Sequence, residues 1–278
     1  MTYTIAMSNE KGGVAKTTST LSLGAALAEL NYRVLLIDLD PQANLSLALG
    51  LETGESIVTS ANILIENVAL HSAIRKTDIK NLDLVPSSFR IETAEQFLPM
   101  RTHYLSTLHD ALKADTLPYD YILFDCPPNI LRASQCGIFA ANEIYVPANP
   151  DALSLIGFTL LVEKLQKFHS LSASFRTGSM GNAAHVKGII FNSIKTGSDI
   201  EVPKMRMQLR LNQFKSAKRV APTAKIFESQ VRDAMIVRRA VTLGLPVVLV
   251  SLDQAQEGQD NVVNDYRKVA AELVRQQE

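Results

Sequence analysis

Residues 9–18 constrain the fold of this chain more than any other segment. They read Asn-Glu-Lys-Gly-Gly-Val-Ala-Lys-Thr-Thr and lie between an apolar run, Tyr3–Met7, and a segment with helical apolar spacing, Ser19–Leu30. Between a strand and a helix, a glycine-rich turn directs its backbone N–H groups inward, and the N-terminus of the helix adds a partial positive charge. The sequence therefore predicts a phosphate-binding loop.

The residues of this loop have distinct predicted roles. Gly12 and Gly13 permit the tight curl of the backbone. Lys16 is expected to contact the β- and γ-phosphates of a nucleotide, and the Thr17 hydroxyl is expected to bind Mg²⁺. The other nucleotide-binding positions of the loop are predicted to be Lys11, Val14, Ala15 and Thr18.

The loop departs from the common phosphate-binding pattern at three positions. Glu10 and Ala15 stand where that pattern has glycine, and Lys11 is an additional lysine. One lysine serves the nucleotide of its own subunit, so a second one is free to reach phosphates held by a partner, as an arginine finger does in trans. We therefore expect Lys11 to be a catalytic residue that acts across a dimer interface.

Two further apolar runs end in aspartate. Arg33–Asp38 is predicted to be a buried parallel strand with Asp40 in the turn after it, and Tyr121–Asp125 is a run of the same kind. Carboxylates at the carboxyl ends of parallel strands lie over the nucleotide crevice of an open α/β sheet. We expect Asp38 and Asp125 to support Mg²⁺, and Asp40 to orient the water that attacks the γ-phosphate.

The rest of the chain alternates between predicted strands and helices. The expected strands are 82–85, 143–146, 186–191 and 224–227, and the expected helices are 57–67, 102–114, 153–168 and 261–275. This alternation predicts an α/β fold, a doubly wound, mostly parallel sheet flanked by helices, in a single domain of residues 1–278. No signal peptide or helix-turn-helix domain is expected before the loop, and two cysteines fit a reduced cytosol.

The three motifs resemble those of the ParA/MinD family of deviant Walker A ATPases. Lys11–Thr18 is similar to the loop of that family, which usually has glycine at the position of Ala15. Asp38–Asn44 is similar to the family's Asp-Leu-Asp-Pro-Gln-Gly-Asn except at Ala43, and Asp-Cys-Pro-Pro at 125–128 resembles the ParA branch. The chain is most similar to the short members of the family, which lack a helix-turn-helix domain.

The resemblance implies a set of ligands and partners. It implies ATP and Mg²⁺ as cofactors, and a homodimer that sandwiches two nucleotides with Lys11 crossing between subunits. It also implies that Asp40 is required for hydrolysis, and that a ParB-like or adaptor protein stimulates turnover. The implied location is the cytoplasm, on the nucleoid.

The formal net charge is zero, but the charges are unevenly distributed. Residues 195–239 contain eleven basic and four acidic residues. Such a stretch favours a polyanionic partner, and non-specific DNA binding needs only lysine and arginine near phosphates. The alternative is a helix whose basic residues face water, because Met205, Leu209 and Leu211 have helical spacing. Together with the resemblance, the stretch predicts DNA contacts at Lys218, Arg219, Arg232, Arg238 and Arg239.

Three other features leave alternatives open. Asn192 follows an apolar run, where its amide could read the edge of adenine or serve as a plain turn residue. Cys126 and Cys136 are better explained as small buried hydrophobes than as ligands of an iron–sulfur cluster. The segment 260–278 has an apolar stripe but a net charge of −1 and no Phe or Trp, so we expect a helix packed on the core, without stable membrane association.

The sequence therefore predicts an ATP-dependent partition or positioning ATPase for a plasmid, a chromosome or a protein assembly. The predicted protein forms a homodimer on ATP binding, binds DNA non-specifically and responds to a ParB-like or adaptor partner. Two alternatives are a regulatory ATP-binding switch with little turnover and a MinD-like positioning ATPase.

Overall fold

A computed structural model describes residues 2–51, 54, 56–115, 117–175, 183–195, 197, 199–233, 246 and 260–277. Within these residues, eight strands form one sheet in the order β3-β4-β2-β5-β1-β6-β7-β8. Every neighbouring pair is parallel except the antiparallel edge pair β3–β4. The strands are β1 Tyr3–Met7, β2 Val34–Asp38, β3 Arg75–Lys76, β4 Leu82–Val85, β5 Tyr121–Asp125, β6 Glu143–Ala148, β7 His185–Phe191 and β8 Lys225–Ile226.

Helices connect the strands. Three short 3₁₀ segments, Leu98–Met100, Tyr104–Ser106 and Ala173–Phe175, extend or precede α-helices. The described α-helices are α1 Lys16–Glu29, α2 Asn44–Ala48, α3 Ser60–Glu66, α4 Leu70–Ala73, α5 Ile91–Phe97, α6 Thr107–Ala114, α7 Arg132–Ala140, α8 Ala152–Ser172, α9 Glu201–Ser216 and α10 Asp260–Arg275. Within the described part of the chain, no helix has the length and apolarity needed to cross a bilayer.

Alternation along the central strands separates the core into two hydrophobic clusters. In β2, Leu35 and Ile37 belong to one cluster, whereas Val34 and Leu36 belong to the other. This is the period of two expected for a strand that is buried on both faces. On the second face, α10 packs against α1 through buried side chains, which are Tyr266, Val269, Ala270 and Leu273. The apolar stripe of the C-terminal segment is thus part of the core, as predicted.

The central strands bring the motifs to one edge of the sheet. β5 lies between β1 and β2, and the register places Asp125 opposite both Met7 and Asp38. All three strands end at this edge, where the residues that follow β1 form the predicted phosphate-binding loop. The predicted fold class, a mostly parallel doubly wound sheet flanked by helices, is confirmed.

The predicted elements are present, with differences at their ends. The helix predicted at 102–114 begins as a 3₁₀ turn and becomes α6, and the helix predicted at 153–168 extends to Ser172. Sequence patterns did not predict α5 and α7, whose apolar stripes are short. In the basic stretch, α9 turns Met207 and Leu211 inward and leaves Met205 and Leu209 more than half exposed. Of the three residues whose spacing indicated a helix, Leu211 is buried, whereas Met205 and Leu209 lie on the exposed face.

Candidate nucleotide-binding site

The loop between β1 and α1 has the backbone of a phosphate cradle. Gly13 has φ = 70°, and Ala15, the residue before α1, has φ = 60° and ψ = 36°. Both values lie in the left-handed region, which glycine adopts readily and alanine adopts only with strain. The Ala15 carbonyl accepts the first hydrogen bond of α1 from Ser19 N, at 2.8 Å. The loop therefore keeps a glycine-type conformation at a position where this chain has alanine.

Lys16 opens α1 and points back across the loop. Its side chain is almost fully buried, and its Nζ donates to the carbonyl of Lys11 at 3.0 Å. Burial lowers the pKa of Lys16, and the nearby carboxylate of Asp125 opposes that shift. A desolvated ammonium at this point gains most from an anionic ligand, which is the role predicted for it.

Lys11 is held within its own subunit. Its Nζ lies 2.7 Å and 2.9 Å from the two carboxylate oxygens of Asp151 and 3.3 Å from Ser154 Oγ. Asp151 also caps α8, because it accepts a hydrogen bond from Ser154 N at 2.6 Å. Gly157 allows α8 to come this near, since a Cβ there would lie 2.9 Å from Lys11 Cβ. The additional lysine thus rests on the first turn of α8.

Asp38 and Asp125 form a buried pair of carboxylates on neighbouring strands. Asp38 accepts hydrogen bonds from Asp40 N (3.0 Å), Ser46 N (3.0 Å) and Ser46 Oγ (2.7 Å). Asp125 Oδ1 accepts a hydrogen bond from Thr20 Oγ1 at 3.2 Å, whereas its Oδ2 is buried and has no partner among the described residues. Burial raises the pKa of both carboxyl groups, and the proximity of Asp38 raises the pKa of Asp125 further.

This donor set fits Mg²⁺. The unpartnered Oδ2 of Asp125 is a buried acceptor that a hard cation would satisfy, and the Thr17 hydroxyl lies beside the same carboxylate and lowers its pKa. In the described part of the chain, no group of three or more His, Cys, Asp or Glu side chains could hold a metal. Mg²⁺ does not require one, since it is usually bound through one or two carboxylates together with phosphates and water.

Asp40 lies in the turn that leads from β2 to α2. Its Oδ1 accepts a hydrogen bond from Gln42 N at 2.9 Å, and its carbonyl accepts one from Ala43 N at 2.9 Å. Ala43 has φ = 51° and ψ = 32°, which is again a left-handed conformation on alanine. Asp40 is only half-buried, in contrast to Asp38. Its role in orienting water stays a prediction.

Asn192 lies behind the loop. Its side chain is buried, and its Nδ2 donates to Val14 O at 3.2 Å and to Ser19 Oγ at 3.0 Å. Oδ1 has no partner among the described residues. In this structure the amide therefore supports the loop and the start of α1, and contact with adenine stays a prediction.

Among the described residues predicted to bind DNA, Lys218 and Arg219 lie apart from Arg232. Ala221 N donates to Val186 O at the start of β7, which places Lys218 and Arg219 at the edge of the sheet opposite the loop. Arg232 lies at the other edge, and its guanidinium makes two hydrogen bonds to Asp265, at 3.0 Å and 2.8 Å. Lys218 is exposed and Arg219 is half-buried. The last two predicted contacts, Arg238 and Arg239, lie outside the described residues.

Both cysteines are buried free thiols. Burial raises the pKa of Cys126 and of Cys136, so both remain protonated. Their environment is that of small core residues, the interpretation that the sequence favoured.

Sequence reasoning missed several partners of the predicted site residues. Asp151 lies 140 positions from Lys11, and the only sequence signal for it is an aspartate before a helical run, the pattern of an N-cap. No sequence pattern indicated Ser46, whose backbone N–H and hydroxyl both donate hydrogen bonds to Asp38. Glu10 pairs with Lys164 of α8 and accepts a hydrogen bond from Ile130 N at 3.2 Å, and the loop sequence gives no signal for either contact.

Comparison with known proteins identifies the family and the fold of the chain. A family model described as an AAA domain matches residues 2–176. The chromosome partitioning protein ParA of Caulobacter vibrioides is 30% identical over 278 residues, which cover 97% of this chain and 93% of that protein. An uncharacterised protein of Mycobacterium tuberculosis is 40% identical over 164 residues, 59% of this chain, and the match spans about half (52%) of that relative. Apo McdA of Cyanothece has the same fold, with a TM-score of 0.79 and 23% identity over 98% of this chain and 100% of that chain.

Proposed function

The chain belongs to the ParA/MinD family of deviant Walker A ATPases, which act on ATP with Mg²⁺, and we propose that it is a partition or positioning ATPase that works as a nucleotide-sandwich homodimer. The observation that carries this proposal is the presence of two lysines in one loop. Lys16 is buried and faces the cradle, whereas Lys11 lies at its rim in a partly exposed contact with Asp151. Lys11 is therefore the lysine that is available to a second subunit.

Each residue of the site has a role toward the nucleotide. The loop N–H groups and Lys16 would hold the β- and γ-phosphates, while Thr17, Asp125 and Asp38 would hold Mg²⁺. When bound, Mg²⁺ neutralises phosphate charge as the bond to the γ-phosphate breaks. Asp40 orients the attacking water from the turn after β2, where its carboxylate is accessible.

Dimer formation requires Lys11 to change partners. Its ammonium leaves the carboxylate of Asp151 and contacts the phosphates bound to the other subunit, where it offsets negative charge in the transition state. The contact with Asp151 is a partly exposed ion pair, and such pairs contribute about 1 kcal/mol or less. The exchange is therefore energetically accessible.

We propose that the dimer binds DNA non-specifically. Exposed lysine and arginine side chains of residues 195–239, such as Lys218, contact phosphates without reading base sequence, which supports transient binding on the nucleoid in the cytoplasm. The similarity to a chromosome partitioning protein supports this assignment. A ParB-like or adaptor protein attached to a plasmid, a chromosome or a protein assembly is the proposed stimulator of hydrolysis.

A second candidate function is a regulatory switch that binds ATP and turns it over very slowly. Alanine in left-handed conformations at positions 15 and 43 favours it, because the strain falls on the cradle and on the turn that carries Asp40. Turnover measured with and without the stimulating partner distinguishes the two functions.

The test is binding to random-sequence duplex DNA with ATP, with ADP and without nucleotide, over a range of salt concentrations. We expect salt-sensitive binding only with ATP, and its loss in Lys11→Ala. Lys218→Ala should lower the slope of log affinity against log salt by about one, whereas Lys80→Ala, an exposed lysine five strands away from β7 in the sheet, should leave it unchanged. Absence of DNA binding in every nucleotide state would exclude non-specific DNA binding by the dimer.

A further inference from the structure

A groove separates the 3₁₀ turn before α6, the start of α7 and the second half of α8. Its volume is about 340 Å³. We call it the basic groove. It is lined by Tyr104, Leu105, Ile130, Arg132, Gln135, Lys164, Lys167, Phe168, Leu171 and Phe175. The volume is at the lower end of the range for sites that bury a small ligand or a few side chains, about 300–1,000 Å³.

All charged side chains that line the basic groove are positive. Three lining residues are cationic (Arg132, Lys164 and Lys167), and none of the described lining residues is acidic. Arg132 lies over the ring of Tyr104 at 5.6 Å, and its Nη1 donates to Tyr104 Oη (3.0 Å) and to Gln135 Oε1 (3.1 Å). These partners fix the guanidinium without neutralising it. Because Lys164 is paired with Glu10, Arg132 and Lys167 form most of the positive wall that the groove presents to a ligand.

The remainder of the basic groove is apolar. Phe168 is buried in the floor, whereas Leu171 at the rim is 73% exposed. An exposed leucine beside the cations, next to the buried ring of Phe168, favours a ligand with a bulky apolar group. Duplex DNA would use the cations but would leave this apolar surface unsatisfied, so a polypeptide is the better match. Charge complementarity requires that polypeptide to be acidic.

The basic groove is connected to the phosphate-binding loop through Glu10. The Glu10 carboxylate is 6% exposed, pairs with Lys164 and accepts a hydrogen bond from Ile130 N. Both of these partners line the groove, and Glu10 directly precedes Lys11. A ligand carboxylate that attracts Lys164 therefore competes with Glu10 and changes the support of the loop.

We propose that the basic groove binds an acidic segment of a partner protein, with a bulky apolar side chain flanked by carboxylates, and that Glu10 couples its occupancy to the nucleotide site. The coupling rests on the proposed function of Lys11, whereas the binding of the segment does not. Because coupling between two sites is reciprocal, ATP must change the affinity for the segment by the same factor by which the segment changes the affinity for ATP.

The first experiment identifies the ligand chemistry. Random 12-residue peptides displayed on phage are selected on the full-length chain bound to a non-hydrolysable ATP analogue and Mg²⁺. We expect the enriched peptides to combine Asp or Glu with Leu, Ile, Phe or Met, and to bind Lys167→Glu at least about ten-fold more weakly. Lys167 is not a residue of the nucleotide site, so this variant should retain ATP affinity, and its thermal unfolding verifies that it folds.

Two results would overturn the assignment. The first is enrichment of peptides without acidic residues, or of peptides that bind Lys167→Glu as well as the unmodified chain. The second is that Lys167→Glu loses affinity for a 24-base-pair duplex while peptide selection finds no acidic ligand, which would assign the groove to nucleic acid.

The second experiment tests the coupling. The affinity of one selected peptide is measured with and without the ATP analogue, in the unmodified chain and in Glu10→Gln. We expect a difference of about five-fold or more in the unmodified chain and less than about two-fold in Glu10→Gln. Glu163→Gln, an exposed carboxylate on α8 next to Lys164, is the matched control and should behave as the unmodified chain does.

The outcomes separate this inference from the proposed function. If the unmodified chain does not bind the ATP analogue, the proposed function fails. If it binds the analogue and dimerises but selects no acidic peptide, only the basic groove is wrongly assigned. Equal coupling in Glu10→Gln and the unmodified chain would refute the role of Glu10 alone.

Discussion

The nucleotide end of the sheet and the basic stretch at 195–239 differ in how their residues come together. At the nucleotide end, motif residues 109 positions apart meet around one cradle, as Lys16 and Asp125 do. In the second, neighbours in sequence separate, since Lys218 and Arg232 lie at opposite edges of the sheet. The six residues of β7 from Val186 to Phe191 span about 17 Å between those edges. Basic residues that are close in sequence therefore do not necessarily form one surface.

The difference has a physical origin. Carboxylates and glycines that end parallel strands are brought together by the register of the sheet, whatever their separation in sequence. Lysine and arginine in a helix and its following turn have no such constraint, and some of them are used inside the fold. Arg232 is one of these, because its partner Asp265 is almost fully buried. Position in the sheet therefore predicts function better than local charge does.

The largest expected effect is at the nucleotide end. Lys16→Ala removes a buried ammonium that faces the cradle, and we expect the affinity for ATP to fall by roughly 100-fold or more. Titration with a fluorescent ATP analogue measures this change. Lys80→Ala removes an exposed lysine at the opposite edge of the sheet and should leave the affinity within two-fold, about the error of such a titration. Equal effects of the two substitutions would contradict the assignment of the cradle.

Within the basic stretch, Arg232 stabilises the fold, whereas Lys218 is accessible to DNA. Arg232→Ala leaves the buried carboxylate of Asp265 without its guanidinium, so we expect the free energy of unfolding to fall by about 1–3 kcal/mol. Lys218→Ala should change it by less than about 0.5 kcal/mol, since Lys218 is exposed. Urea denaturation measures both values. A stable Arg232→Ala chain that loses DNA binding would place Arg232 in the DNA interface instead.

Asp151 restrains Lys11 in the free subunit. Asp151→Asn removes the charge that holds Lys11 but keeps an oxygen that can cap α8. We expect the dimer dissociation constant with ATP to fall by about five-fold, the equivalent of about 1 kcal/mol for a partly exposed ion pair. Sedimentation velocity measures this constant. A weaker dimer in Asp151→Asn would indicate that Asp151 supports the dimer rather than competing with it.

The two strained alanines are expected to have the smallest effect. Ala15→Gly and Ala43→Gly relieve left-handed strain of about 1–2 kcal/mol, offset by the greater freedom of glycine in the unfolded chain. We expect a net gain of about 0.5 kcal/mol in the free energy of unfolding for each. Ala111→Gly, within α6, is the control and should lose about 0.5–1 kcal/mol. Destabilisation by all three substitutions would show that the loops carry no strain.

Much of the fold and of the cradle was predictable from sequence. Apolar runs that end in Asp38 and Asp125 define parallel strands, and a glycine-rich turn before a helix defines the loop, because both patterns are local. Single substitutions in these motifs, such as Ala15, could also be recognised, although only the structure shows that the backbone keeps its left-handed conformation there.

The pairing of side chains across the fold was not predictable. Lys11 with Asp151, Glu10 with Lys164, and Arg232 with Asp265 are each joined by tertiary packing over many positions. Charged residues in loops follow no sequence periodicity, so the sequence does not predict which residue each of them will pair with. The basic groove was missed for the same reason, since its lining comes from three separate elements.

The most direct test of the sandwich dimer is the mass of the chain in solution with a non-hydrolysable ATP analogue and Mg²⁺, measured by sedimentation equilibrium. We predict twice the chain mass of 30.5 kDa with the analogue and 30.5 kDa with ADP. Lys11→Ala should remain at 30.5 kDa with either nucleotide, although it still binds the analogue. A Lys11→Ala chain that dimerises as the unmodified chain does would contradict the central role of this lysine.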